Sequence, residues 1–162
     1  MEVDQFSLIT GILFLVIIFL PLLYINRKIK ARRGKVLKAL KGIETNAGFK
    51  FKDFEIWQDK ALGVDVEKSV MVFLNLDPAR EMRKFVELAK VRDFRIIQGM
   101  DVIELVFDKR MGALEMSESI CIYDSSIDSP MEVGFHRILG LRWIDKLKQA
   151  KTLNPKQPKK AA

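Results

Sequence analysis

Residues Phe6 to Asn26 form an unbroken uncharged run, FSLITGILFLVIIFLPLLYIN, and Arg27 opens a dense basic block, RKIKARRGKVLKALK. This junction constrains the chain more than any other feature. A hydrocarbon core of about 30 Å is crossed by about 20 helical residues. Backbone polar groups in lipid must be satisfied internally, so the run is expected to be helical. Gly11 does not forbid this, and Pro21 lies near the end, where a kink or frayed turn is tolerable. Tyr24 falls where interfacial aromatics sit.

A cleaved signal peptide is the competing reading. Such peptides begin with positive charge and end in small residues at a cleavage site. Here the first charges are Glu2 and Asp4, no A-x-A pattern follows, and Arg and Lys come next, as in a stop-transfer flank. The run is therefore expected to be retained as an anchor, residues 1–26. Loops rich in Lys and Arg stay in the cytoplasm. The N-terminus is then outside and residues 27–162 are cytoplasmic, at the inner membrane of a cell in a single-pass arrangement.

The formal net charge of +7 invites a nucleic-acid reading, but its distribution opposes it. Residues 1–26 carry −2, residues 27–41 carry +8 and residues 151–162 carry +4, which leaves −3 for residues 42–150. A nucleic-acid-binding domain concentrates positive charge on the fold itself. No nucleic-acid partner is expected.

Within the basic block, Ile29, Val36, Leu37, Leu40 and Ile43 fall at spacings that suit one helix face. Residues 27–48 are expected to form a basic amphipathic juxtamembrane helix, either continuing the anchor or lying on the headgroups. Asn46 and Gly48 supply the stop. Anionic lipid attracts such a cluster by about 1 kcal/mol per basic residue near the surface. Arg27, Lys28, Lys30, Arg32, Arg33, Lys35 and Lys38 are thus candidate lipid-headgroup residues. The simpler reading is that these charges only set topology.

From Phe49 the period drops to two. Phe49 and Phe51 alternate, and Phe54 and Ile56 continue one step out of phase, which predicts a bulge or two short pieces. ALGVDVEKSVMVFLNL alternates on both sides of Glu67-Lys68-Ser69 and predicts a hairpin. Asp77-Pro78 marks a break. KFVELAKVRDFRII can be drawn as a helix, but its two-residue phase and β-branched content favour a strand or a bent pair. DVIELVFDKR and SESICIYD read as further strands, with turns at Gly99 and Gly112. The wide apolar arc of MEVGFHRILGLRWIDKLKQAK predicts a well-packed helix, with Ser129 as N-cap and Pro130 at its first position. Residues 151–162 read as a loose basic tail.

The expected class is α+β: a membrane helix running into a basic helix, then five to seven antiparallel strands in a small sheet or barrel, closed by a C-terminal helix over residues 49–150. ALGVD with VMVFLNL, ELAKVRDFRII and a final helix containing GLRWIDKL together resemble the pleckstrin-homology-like domains of membrane-anchored bacterial proteins, across Phe49–Lys148. Members of that family are mostly of unknown function, so the resemblance implies a binding domain more than a chemistry. The basic loop that lipid-binding members carry between their first two strands has only Lys60 here, in WQDKALG.

Catalytic groups are scarce. His136 is the single histidine and Cys121 the single cysteine. A metal site needs three or four ligands, and no glycine-rich phosphate loop, HExxH or GxSxG is present. His136 is expected to be packed or on a helix surface, Cys121 to be a buried structural thiol, and Trp57 and Trp143 to be core. Asp124 and Asp128 flank a serine-containing turn of ordinary composition. No catalytic residue, cofactor or metal is expected. The leading function is a non-enzymatic, membrane-anchored scaffold that recruits a protein partner. An anionic-lipid surface module and a small enzyme are the alternatives.

Overall fold

The computed structural model describes residues 5–111 and 114–153. Anchor and basic block form one unbroken helix, α1 (Gln5–Ala47), which passes through Gly11 and Pro21. At 1.5 Å per residue it is about 65 Å long, roughly twice a hydrocarbon core. Its N-terminal part is long and apolar enough to cross a membrane, and that window makes no burying contact with the rest of the chain. Every residue from 11 to 35 is exposed. A soluble protein rarely leaves so many Leu, Ile and Phe side chains uncovered along one element.

Gly48 ends α1 with φ +63°, the left-handed conformation that favours glycine just past a helix. Two antiparallel sheets follow. The first has the order β1 (Asp53–Trp57), β2 (Lys60–Asp65), β3 (Val70–Asn75) and β4 (Met82–Glu87). The second has the order β5 (Val91–Gln98), β6 (Val102–Met111) and β7 (Leu114–Asp124). Helix α2 (Val133–Leu153) closes the domain. The class is α+β as expected, but among the described residues the strands form two sheets and no closed barrel.

The local expectations fare differently. The hairpin pairs Leu62 with Phe73. Its turn is held by the buried Asp65, whose carboxylate accepts from Lys68 N at 2.9 Å and from Lys50 N at 2.8 Å. The segment drawn either as helix or strand is a bent pair: β4 and β5 are joined by a short 3-10 turn, Leu88–Lys90. Leu88 and Val91, three residues apart across the turn, are both buried, whereas a single straight strand would point them to opposite faces. The phase change after Phe51 is a boundary between two pieces: Phe49 and Phe51 precede β1. Gly99 sits in the β5–β6 turn, where its N–H donates to Val102 O at 2.9 Å. Ser129 caps a 3-10 turn, Pro130–Glu132, that leads into α2. The turn expected at Gly112 lies outside the described residues, as does the tail beyond Leu153; Lys151 to Leu153 are still helical.

The main core lies between the sheets and under α2, with Trp57, Phe73, Phe107, Leu105, Ile122 and Trp143 among its members. Gly140 lets α2 approach closely, since a Cβ there would stand 2.7 Å from Ile96 Cδ1. The wide apolar arc of α2 is only half used. Leu139, Trp143 and Leu147 are buried, whereas Ile138 and Leu141 are exposed. At 100° per residue those two project from the opposite side of the helix.

A second core decides how the anchor meets the domain. Val36 and Leu40 of α1 pack with Phe51, Ala61, Val72 and Leu74 on the outer face of the first sheet. Small residues make the docking possible. Ala61 is fully buried there, and a Cβ on Gly63 would stand 3.2 Å from the Phe51 ring and 3.6 Å from Leu40. Full burial of a Val or Leu contributes about 1.5–3 kcal/mol each. The last turns of α1, from Val36 onward, are therefore part of the folded domain, and the apolar face at Val36 and Leu40 is turned to protein instead of to headgroups.

Candidate functional site at the helix-entry end

The seven candidate headgroup residues, Arg27, Lys28, Lys30, Arg32, Arg33, Lys35 and Lys38, are all exposed along one helical stretch. They do not form a pocket. They encircle α1 from the end of the apolar span into the docked segment, where Lys38 falls between Val36 and Leu40. Arg32 shares the helix stripe of Val36 and Leu40, at a spacing of four, and so faces the domain. It pairs with Asp59 in the β1–β2 turn at 3.7 Å.

That pair fixes one end of the domain relative to α1. Lys68, in the turn after β2, donates to Ala47 O at 2.9 Å near the other end of the helix. Strand β2 therefore runs beside α1 in the same direction, and the β1–β2 turn lies toward the span. Several loops gather there. Leu76 N donates to Asp59 O at 2.8 Å, which brings in the β3–β4 connection. Gln58 Nε2 donates to Glu132 at 2.8 Å. Ser125 N donates to Asp101 O at 2.8 Å, joining the β5–β6 turn to the β7–α2 loop. An open cleft of about 370 Å³ between these loops is lined by Arg32, Asp59, Lys60, Asn75, Asp77 and Ile127.

Lys60 is withdrawn from solvent. Its Nζ donates to Asp128 Oδ2 at 2.9 Å and to Ile122 O at 3.1 Å, with the two side chains 6% and 0% exposed. The one lysine at the place where a lipid-binding loop was considered is thus spent on an internal ion pair. Asp128 Oδ2 also accepts from Asp124 N at 2.8 Å. Asp124 is held by Ser126, whose Oγ donates to Oδ1 at 2.6 Å and whose N donates at 2.9 Å, and by Arg80. The Ser126 bonds first, and then the Arg80 guanidinium, lower the Asp124 pKa to about 2. The Asp124–Asp128 turn is an internal staple between the sheets, and among the described residues no group of three potential metal ligands occurs.

The remaining reactive groups are withdrawn from solvent in whole or in part. His136 is buried and its Nδ1 lies 2.8 Å from Glu132 O, while Nε2 has no protein partner. Cys121 is half-buried, since its neighbours Ile120 and Ile122 take the core face of β7. Its Sγ donates to Tyr123 O at 3.1 Å, and burial pushes the thiol pKa up, which disfavours the nucleophilic thiolate. Trp57 and Trp143 are core, and their indole N–H groups donate to Ile122 O at 3.4 Å and to Glu55 at 3.1 Å.

A second surface lies at the far end of α1. Phe49 stacks on Phe51 and on Phe85 of β4, with centroids 5.7 and 6.1 Å apart, and Lys68 Nζ stands 4.9 Å over the Phe49 ring. Helix α1 covers the outer face of β1 to β3 and leaves Phe85 half exposed. A groove of about 470 Å³ runs beside it past Glu44, Phe49, Lys50 and Lys52. Periodicity did not single out Phe85, because only the extent of α1 coverage decides that it stays uncovered.

Compared with protein-family models, curated proteins and solved structures, the chain matches none.

Proposed function

We propose that this protein is a single-pass membrane protein whose domain faces the cytoplasm at the inner membrane and serves as a non-catalytic binding scaffold for a protein partner. The observation that carries this reading is the docking of Val36 and Leu40 against the first sheet. One helix is both span and domain element, so the domain is held at a fixed place beside the bilayer. Orientation follows from eight basic residues between Arg27 and Lys41, all on the C-terminal side of the span. Seven antiparallel strands followed by a closing helix agree with a pleckstrin-homology-like domain.

The partner surface proposed is the half-exposed Phe85 with the partly buried Phe49 stacked on it, beside the edge strand β4, a place suited to an added strand or an apolar side chain. A photocrosslinking amino acid at Phe85 in the full-length protein, activated in intact membranes, is expected to give one discrete protein adduct that Phe49→Asp abolishes. A lack of any adduct would reject the recruiting role. For the topology, protease added to right-side-out membranes is expected to spare the domain, and digestion of it would reverse the orientation.

A second reading is favoured by the exposure of Arg27, Lys28, Lys30, Arg33, Lys35 and Lys38. In it the basic girdle of α1 recruits anionic lipid around the anchor. Enrichment of anionic lipid around the reconstituted protein, lost at high salt, is the expected sign.

A further inference from the structure

We infer that the helix-entry end of the domain rests on the bilayer, with Met100, Met131 and Ile127 immersed at the lipid interface. This rests on the reading of α1 as a membrane span. Arg32, which pairs with Asp59, lies six positions past Asn26, the end of the apolar run. Six helical residues rise about 9 Å. The polar interfacial layer of one leaflet is about 5–8 Å thick. The β1–β2 turn therefore stands at the outer edge of the headgroup layer, at the end of the domain it shares with the β3–β4 and β7–α2 loops bonded to it and with the β5–β6 turn bonded to the β7–α2 loop.

Those loops expose unusual tips. Met100 in the β5–β6 turn is 101% exposed and Met131 before α2 is 96% exposed, while Ile127 is 45% exposed. Pro78 and Ala79 of the β3–β4 connection are exposed as well. The carboxylates that would oppose contact with lipid are largely tied up within the protein. Asp59 pairs with Arg32, Asp124 with Arg80 and Asp128 with Lys60, and Asp101 accepts from the Ser125 hydroxyl at 3.0 Å. The largest apolar side chains left outward on these loops are Met100, Met131 and Ile127, beside the small polar Ser125 and Ser126. The clamp at Val36 and Leu40 supplies the rigidity: a domain on a free linker would have no preferred end toward the membrane.

Full-length protein carrying Cys121→Ser and one of Met100→Cys, Met131→Cys, Ile17→Cys or Leu114→Cys is labelled with an environment-sensitive fluorophore and reconstituted into vesicles containing brominated lipid. Leu114, exposed at the start of β7, lies at the opposite end of the second sheet from Met100 and serves as the water-facing control. Labels at Met100 and Met131 are expected to shift to the blue and lose intensity to the brominated lipid, and the label at Leu114 to do neither. Quenching at Ile17 with Met100 and Met131 as unresponsive as Leu114 would overturn the proposal while leaving the anchor intact, and would point to a protein cover for these tips. An unquenched Ile17 would remove the anchor and the proposal together.

Discussion

Lys60 of the first sheet and Asp128 of the loop before α2 meet at 2.9 Å with almost no solvent on either side chain. The pair joins the two sheets at the end where α1 enters, and Ile122 O completes the coordination of the ammonium. Removing one partner leaves the other buried and uncompensated, which costs about 3–5 kcal/mol. Asp128→Ala is therefore expected to destabilise the detergent-solubilised full-length protein by that amount. Urea unfolding followed by the buried Trp57 and Trp143 would measure it. Lys60→Met combined with Asp128→Ala is expected to recover part of the loss, because no charge is then stranded.

The docking of α1 makes a separate prediction. Leu40 is 2% exposed and touches the space over Gly63. Leu40→Ala is expected to cost about 2–5 kcal/mol, and Gly63→Val to cost comparably because the new methyls collide with Phe51. In both variants limited proteolysis is expected to begin cutting between residues 30 and 50, where the wild-type helix resists. Unchanged protection would mean that the second core does not hold the helix.

Acid sensitivity should trace to Asp124. Its folded pKa of about 2 lies below an ordinary carboxylate. A group depressed on folding stabilises the fold above its unfolded pKa and loses that contribution as pH falls toward the folded value. The expected window is roughly pH 4 down to pH 2, and the contribution at neutral pH is about 2 kcal/mol. Asp124→Asn is expected to flatten the pH dependence of urea stability across that window. Glu118, lowered by Lys109 and Lys84, adds a smaller term of the same sign.

The basic girdle should govern orientation. Changing Arg27, Lys28, Lys30, Arg33, Lys35 and Lys38 to Gln is expected to yield a mixed population in which some domains become accessible from outside, read by protease protection. Arg32 is left in place in this variant because it also pairs with Asp59. A population that keeps one orientation would assign topology to another signal.

The sequence alone determined the outline. A charge-free run of about 20 residues beside a basic block specifies a helix long and apolar enough to cross a membrane. Apolar residues at Leu62, Val64 and Val66 and again at Val70, Val72 and Leu74, on either side of Glu67-Lys68-Ser69, specified a hairpin, since side chains of a strand change face at every residue. It also foresaw Trp57 and Trp143 as core. Only the tertiary structure decided where α1 stops being anchor and becomes domain. Val36 and Leu40 have the spacing of a headgroup-facing helix and of a sheet-facing helix alike, and the choice depends on Ala61 and Gly63 arriving beneath them from far along the chain. The same holds for Lys60 and Met100: local pattern assigns a residue to a face, but burial is a property of what folds against that face.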